Sequence, residues 1–468
     1  EYEIISKKDG WAEIDSNQVC KSCFKVIKKT ASKVKNNPVK GIGISSQGEA
    51  FTPVDSKGNI LAKAMVSSDT RAASISRTWS REFGRKKLYN ITGHTPHPMF
   101  TIFKLLWLKE NQPEIWRRAS KFLCFEDLLH LKLGLEPAIG WSLAGRTMMF
   151  NIKTHQWDTE ILDKIGLNKK KLARPLASGT IVGHIPNSIA RQLSLAPDVI
   201  VVAGGHDQPC GALGAGVTKQ GTAMYATGTV ECITPVFSSP VMSNDLYKNN
   251  LCTYDYTLDN SYATAAYSLT GGNILKWFCD QWADKEIREA EERGIDPYQI
   301  ILEQIGVRPT KLLVLPYWTP SGTPYFDLET PGVIYGLRLN TQKAEVLRAL
   351  LEGVALEMKL NLNILEESGI VIDELRAIGG GAKSKIWLQL KADVLNKPIT
   401  RVKITEAGCL GAAMLACAAG QKTKIKDLVN NWVQTDSLIE PNVSNAEYYQ
   451  EHFLKYKKLY SVLKKIRK

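Results

Sequence analysis

The sequence predicts an α/β protein of two halves, and three observations carry that prediction. A buried strand that runs into Gly or Ser and then a helix occurs at three well-separated places, around residues 41–60, 198–216 and 374–395. Between the first two places, residues 72–195 follow a mostly helical rhythm, and no low-complexity segment or short tandem repeat interrupts the chain. Finally, 468 residues at 44% hydrophobic content are enough for two large domains. A boundary at GVTKQG divides them into residues 1–216 and 217–468.

The first place, VKGIGISSQGEAFTPVDSKGNIL, reads as an apolar strand at 41–44, a polar turn, and a second strand that DSKGN folds back as a hairpin. Helical spacing follows at Ile102, Leu105, Leu106 and Leu108, and again at Phe122, Leu123, Leu128, Leu129 and Leu131. The second place, DVIVVAGGHDQPCGALGAG, is the most informative. Ile200, Val201, Val202 and Ala203 show no alternation, which predicts a strand buried on both faces of a largely parallel sheet. Gly204 and Gly205 read as a sharp turn, and Gly211, Ala212, Gly214, Ala215 and Gly216 as small residues that bring the next helix close to the sheet. Asp207 then falls at the carboxyl end of a central strand, where open α/β sheets bind their ligands. From this stretch alone it is either a general base or a helix cap.

Beyond it, GTAMYATGTVECITPV predicts strands with a tight turn at Gly228. Helices follow at GGNILKWFCDQW and TQKAEVLRALLEGVALEMKLNLNIL. In the third place a strand at 375–378 enters three glycines, and a helix begins near Ser384. At the C-terminus, Tyr456, Leu459, Tyr460 and Leu463 give KYKKLYSVLKKIRK an apolar helix face opposite a solvated basic one.

The net charge of +13 is spread along the whole chain, which argues against a nucleic-acid surface and favours anionic small substrates such as ATP. Nine cysteines, an odd number in a large chain, predict reduced thiols. Cys20 and Cys23 form a C-x-x-C, but Val19, Cys23, Val26 and Ile27 mark an apolar helix face and no second cysteine or histidine pair completes a zinc site. No metal ligands are therefore assigned. No run approaches the ~18 apolar residues of a membrane helix, and the first residues lack a signal peptide's apolar core, so a cytoplasmic protein without a membrane partner is expected. The sequence leaves room for a homodimer and does not specify one.

Five further segments carry a resemblance. MFTIFKLLWLKEN at 99–111, with Thr101, Lys104 and Trp107, GGHDQPCGALGAG at 204–216, ATGTVECI at 226–233, GGNILKW at 271–277 and GGGAKSKIW at 379–387 together resemble the FGGY family of carbohydrate kinases. AGCLGAAMLA, beginning at Ala407, is similar to the helix behind that family's adenosine pocket. The resemblance runs from about Gly10 to the C-terminus and implies the two-domain actin-like, ribonuclease-H-like ATPase fold with a cleft between the domains. It implies a sugar-binding first domain, a nucleotide-binding second, ATP and Mg²⁺, and a small sugar or polyol as substrate. Asp207 becomes the base, Gly228 and Thr229 lie near the β- and γ-phosphates, and Gly272, Lys276, Gly380, Gly381 and Lys385 contact the nucleotide. Glycine turns that expose N–H groups beside a helix N-terminus suit that role physically.

The same resemblance nominates substrate residues. GISSQGEAF implies Gln47 and Glu49 facing hydroxyl groups, with Glu49 where glycerol kinases carry a polyol-binding glutamate. VSSDTRA points to Asp69 and Arg71, which could equally brace the hairpin as an ion pair. Met99 falls where several members place an aromatic wall, and Gln208 follows the base as in polyol kinases. Two departures matter. Xylulose kinases follow the Gln with Met-His where this chain has Gly48-Glu49, which argues against D-xylulose. Family members also open with a strand–turn–strand carrying Asp-x-Gly-Thr-(Thr/Ser), whereas this chain opens at EYEIISKKDGWAEID. The expectation is a chain shortened at its N-terminus, with activity or stability impaired. A non-catalytic sugar or nucleotide sensor on the same fold is the alternative. A dinucleotide-binding oxidoreductase, prompted by Gly41-x-Gly43, fails because the strand leads into a hairpin where that motif requires a helix.

Overall fold

The computed structural model describes residues 3–34 and 36–466, the side chain of residue 437 excepted. The unbroken apolar run after Asp198 forms the strand Ile200–His206, buried at every position. It pairs in parallel with Gly41–Ser46 and antiparallel with Ile181–His184, so this sheet is mixed where a largely parallel one was expected. Gly204 and Gly205 do not turn the chain. They continue the strand because a Cβ at Gly204 would lie 1.9 Å from the Ile44 carbonyl oxygen, and one at Gly205 2.2 Å from Ser142 Oγ. The strand therefore ends three residues later than the sequence predicts, and the helix Asp207–Gly214 starts on the next residue.

DSKGN turns as predicted. Asp55 Oδ1 accepts from the amides of Lys57 and Asn59 at 2.9 and 2.8 Å, which brings Val54 against Ile60 in an antiparallel bridge. The preceding strand Thr52–Val54 also pairs with Lys121–Leu123, so Phe122 and Leu123 lie in a strand and not in the expected helix. The helical rhythm otherwise yields Ala73–Phe83, Arg85–Thr92, Thr101–Asn111, Pro113–Arg118 and Phe125–Lys132. Gly41 and Gly43 serve packing: a Cβ at Gly43 would lie 2.3 Å from the Ala412 carbonyl oxygen. The oxidoreductase reading thus has no structural support.

The second half is built on one sheet. Its order is Tyr254–Asp255, Tyr262–Ala263, Glu231–Phe237, Gly221–Thr227, Ile372–Ile378, Ile399–Val402 and Thr435–Ile439, with Ala266–Ser268 also on Glu231–Phe237. Gly228 closes the hairpin between Gly221–Thr227 and Glu231–Phe237, its amide donating to the Val230 carbonyl at 3.1 Å. Gly221–Thr227, Ile372–Ile378 and Ile399–Val402 run parallel. The long helix Lys343–Glu367 starts from a capping box between Gln342 and Glu345.

The two halves meet where the helix Ala407–Gln421 crosses Asp207–Gly214. A Cβ at Gly214 would lie 1.9 Å from the Ala407 carbonyl oxygen, and one at Gly411 2.0 Å from that of Cys210. The small residues after Asp207 thus admit a second helix at Gly214, while Gly211 and Gly216 face strands, with Met224 Sδ 3.2 Å and Arg376 Nη1 2.3 Å from where their Cβ atoms would be. On the helix Ser16–Lys33 the buried face is Ser16, Val19, Cys20 and Ala31, while Val26 is 62% exposed, a turn away from the face predicted for it. The C-terminal helix Val443–Ile466 buries Tyr456 and Tyr460, as its pattern predicts.

Candidate active site

Asp207 is the first residue of its helix, directly after the buried strand, with 46% of its side chain still exposed. Its Oδ1 sits 3.1 Å from His206 Nε2, and His206 Nδ1 sits 3.2 Å from the Tyr254 hydroxyl. Burial and then the Arg146 charge hold the His206 imidazole well below its ordinary range, so the ring is neutral. The network then assigns its single proton to Nε2, facing Asp207, with Nδ1 accepting from Tyr254. Surrounding protein desolvates the Asp207 carboxyl and the nearby Glu49 carboxylate opposes its charge, together raising it to about 6 against the relief that Arg146 provides. A carboxylate near that value is ionised at neutral pH and still able to take a proton.

Glu49 is built into the site by the Thr101–Asn111 helix. Its backbone is left-handed at φ 64, which a non-glycine residue adopts only under restraint. The restraint is visible: the Thr101 hydroxyl donates to the Glu49 carbonyl at 2.8 Å, and Lys104 Nζ donates to the carbonyls of Val66 at 2.8 Å and Glu49 at 3.3 Å. Lys104 is wholly buried, and burial lowers its ammonium to about 8 even though Glu49 opposes the shift. The Glu49 carboxylate accepts from Arg146 Nε at 2.5 Å and from the Ser67 hydroxyl at 2.9 Å. Burial works against the Arg146 charge, yet Glu49 holds the guanidinium above its usual range, stacked over Phe100 and Tyr254. A Cβ on Gly48 would lie 3.1 Å from the His206 ring and 3.3 Å from Arg146 Cβ, so Glu49, Arg146, His206 and Asp207 form one connected cluster.

Asp69 and Arg71 form a brace. Arg71 Nε donates to both Asp69 oxygens at 2.9 Å, and Nη2 donates to Asp69 at 2.7 Å and Glu13 at 2.8 Å. The guanidinium lies 3.7 Å from the Trp11 ring centre and 4.9 Å from that of Trp107. Of its nitrogens, Nη1 is buried with no hydrogen-bond partner among the described residues. Gln47 is half-buried beside Ser46, whose hydroxyl donates to its carbonyl at 3.0 Å. Gln208 keeps a buried Oε1 with no donor among the described residues. Met99 Sδ lies 3.9 Å from the Tyr267 hydroxyl, and Phe326 stacks near both Tyr267 and His97. An aromatic residue from the other half of the molecule, Tyr267, thus lies beside Met99.

The three glycine turns lie against one another. The Gly272 amide donates to the Gly228 carbonyl at 2.7 Å, and the Asn273 amide to that of Thr229 at 3.3 Å. A Cβ at Gly379 would come within 2.6 Å of the Thr227 carbonyl oxygen, and one at Gly381 within 2.2 Å of Thr227 Oγ1. Packing therefore demands glycine at 272, 379 and 381. It does not demand glycine at 228, where the nearest atom is 3.8 Å away, or at 380, where nothing lies within 4 Å. The helices Gly272–Trp282 and Lys385–Leu395 start beside these turns, with Lys385 exposed on the first position of the second. Lys276 is one turn into its helix, donating to Asp280 at 2.8 Å on the surface.

Sequence reading missed Arg146, Ser67, Tyr254, Tyr267 and Phe326. Only AGRTMMFN offered a signal, an arginine inside an apolar stretch with no helical face of its own. Among the described residues no group of three or more His, Cys, Asp or Glu gathers as a metal cage.

Comparison with known proteins bears on the family and the fold. The N-terminal domain of the FGGY family of carbohydrate kinases matches residues 1–214, and its C-terminal domain matches residues 223–420. A xylulose kinase of Staphylococcus epidermidis is 29% identical over 99% of this chain and 91% of its own length. A gluconokinase of Bacillus licheniformis is 27% identical over 96% of this chain and 88% of its own. The crystal structure of a gluconate kinase from Lactobacillus acidophilus superposes with a TM-score of 0.89 at 25% identity, covering 99% of this chain and 92% of that one. The architecture is the two-domain actin-like, ribonuclease-H-like ATPase fold, and the chain belongs to the FGGY family of carbohydrate kinases, transferring phosphate to a sugar or polyol hydroxyl.

Proposed function

We propose that Asp207 is the general base that accepts the proton of a sugar hydroxyl as its oxygen attacks the γ-phosphorus of ATP in line. The observation that carries this reading is a half-exposed carboxyl raised to about 6 at the crossing of the two halves. Such a group is ordinarily worth ~10²–10⁴-fold in rate. Residues 1–216 form the sugar half and 217–468 the nucleotide half. Backbone amides around Gly228, Thr229, Gly272, Gly380 and Gly381 receive the phosphates. Support comes from Gly228 and Gly380, which no neighbouring atom forces to be glycine and whose bare Cα leaves room for a phosphate oxygen. Lys385 adds charge at a helix N-terminus, and Lys276 reaches the nucleotide only by leaving Asp280.

Mg²⁺ that arrives on a triphosphate needs few protein ligands, which suits a site where Asp207 is the half-exposed carboxylate. It supplies charge neutralisation on the phosphates. Gln47, Glu49, Gln208 and Met99 line the sugar side with Tyr267, while Asp69 and Arg71 position that wall, Arg71 keeping the two N–H groups of Nη1 for a hydroxyl. Every cation in this cluster is engaged: Arg146 by Glu49, Arg71 by Asp69 and Glu13, and Lys104 by carbonyls. With Glu49 and Asp207 both acidic, the favoured substrate is a neutral ketose or polyol over an aldonate. An ATP-consuming reaction on such a compound supports a cytoplasmic location. The test is ADP release across pentuloses, hexuloses, polyols and gluconate, with Asp207→Asn as control. Turnover should fall by that factor in the variant while ADP still binds, and normal phosphorylation by Asp207→Asn would refute the assignment.

A further inference from the structure

Beneath the three glycine turns lies a fully buried ion pair that the phosphoryl-transfer mechanism does not use. Lys391, on the helix Lys385–Leu395, and Glu231, on the strand after Gly228, are both wholly inaccessible. Lys391 Nζ donates to Glu231 Oε1 at 2.6 Å, to Glu231 Oε2 at 2.7 Å and to Thr227 Oγ1 at 2.7 Å, so its three protons meet three acceptors. The ammonium also lies 4.3 Å from the Trp387 ring centre and 4.7 Å from that of Tyr225. Burial lowers its affinity for the proton, and the Glu231 carboxylate offsets that only in part.

A pair of this kind is a poor device for stability alone. Desolvating two ions costs about what their attraction returns, and well-packed apolar replacements are often neutral or stabilising. What distinguishes this pair is what it touches. Thr227, held by Lys391, is the residue against which Gly379 and Gly381 pack, at 2.6 and 2.2 Å from their Cβ positions. Glu231 Cγ is the wall against Gly271, 3.0 Å from where its Cβ would be. Thr227 and Glu231 are also direct partners across the hairpin that Gly228 closes. One ammonium thus fixes two side chains that flank the Gly228 hairpin, Thr227 Oγ1 standing against Gly381 and Glu231 Cγ against Gly271.

We propose that Lys391, acting through Thr227 and Glu231, is a positioning residue for the nucleotide phosphates: it holds the three glycine turns in one arrangement and touches no substrate itself. This rests on the reading of those turns as the nucleotide site. The test uses the full chain with ADP titrated calorimetrically, initial rates for the Michaelis constants of ATP and sugar, and amide exchange without ligand. The double substitution Lys391→Met with Glu231→Leu removes both charges and keeps their bulk, so it should fold with a melting temperature near the parent's. Its dissociation constant for ADP and KM for ATP should rise about tenfold, with KM for the sugar unchanged, and exchange should speed up at residues 227–231, 271–272 and 379–381 together. Thr227→Val, which removes one hydroxyl at constant shape, should move the same quantities about threefold and decides the matter should the double variant not fold. Parent-like ADP affinity and exchange in the variants would make the pair structural only and overturn the proposal. A parent chain that binds no ADP would instead remove the nucleotide site, and this inference with it.

Discussion

Lowering the pH titrates Asp207 before it titrates an ordinary aspartate, and that displacement is measurable. Burial first and the Glu49 charge second raise this carboxyl from 3.8 to about 6. On the proposed reading of Asp207 as the base, only its ionised form takes the hydroxyl proton, so kcat/KM for the sugar should be level above neutrality and fall as pH drops through about 6. At pH 5 a group of that affinity is about one-tenth ionised, giving a rate ~10-fold below the plateau. An unshifted aspartate would keep the rate within ~10% of the plateau at the same pH. The assay is ADP release at saturating MgATP across pH 4.5 to 8.5. Because ATP phosphates also titrate, the limb must be shown to belong to the protein. Glu49→Gln does this: it removes the carboxylate that helps raise Asp207, so the limb should move toward acid by a readable fraction of a unit. A limb near 4 in the parent, or one near 6 that ignores Glu49→Gln, would refute the argument.

Three other outcomes follow from the same geometry. On the proposed reading of Glu49 as a hydroxyl-facing residue, Glu49→Gln should also raise KM for the sugar about tenfold with little effect on KM for ATP, checked by initial rates, because the glycine turns are untouched. Gly204→Ala should cost more than ~3 kcal/mol, since packed cores do not yield to a Cβ 1.9 Å from a carbonyl oxygen; Gly380→Ala should leave the melting temperature nearly unchanged yet weaken ADP binding, and equal thermal losses would contradict the division between packing and ligand glycines. Glu126 is wholly buried, accepting from the amides of Gly204 at 2.7 Å and Gly140 at 3.0 Å, and burial raises it from 4.5 to about 7. Because its folded affinity for the proton is the higher one, its contribution to stability is complete below about 4.5 and is lost as pH rises through about 7. That loss is on the order of 3 kcal/mol. Urea midpoints at pH 5 and 8 should therefore differ less in Glu126→Gln than in the parent, and an unchanged difference would assign the effect elsewhere.

Much of the fold was legible because it depends on neighbours in sequence. The apolar run at 200–203, the turn at DSKGN and the glycine corner at 228 each specify local structure through one stretch of chain, and each forms. What failed was the inference of which neighbour a small residue admits. Gly204 and Gly214 are glycine for contacts with Ile44 and Ala407, and a pattern read along the chain cannot name a partner so distant. Charge is the sharper case. Lys and Arg are spread along the whole chain, and those of the C-terminal helix form a solvated face. Lys104 and Lys391 are wholly buried, however, and so is Glu231. Lys391 falls in the apolar helical register of Trp387, Leu388 and Val394, and Glu231 opens an apolar strand. Each was therefore visible as a charge out of place, but its meaning lay in a partner 160 residues away. A charge that interrupts an apolar register must be solvated by some other group, so such a position predicts a buried partner even where the sequence cannot name it.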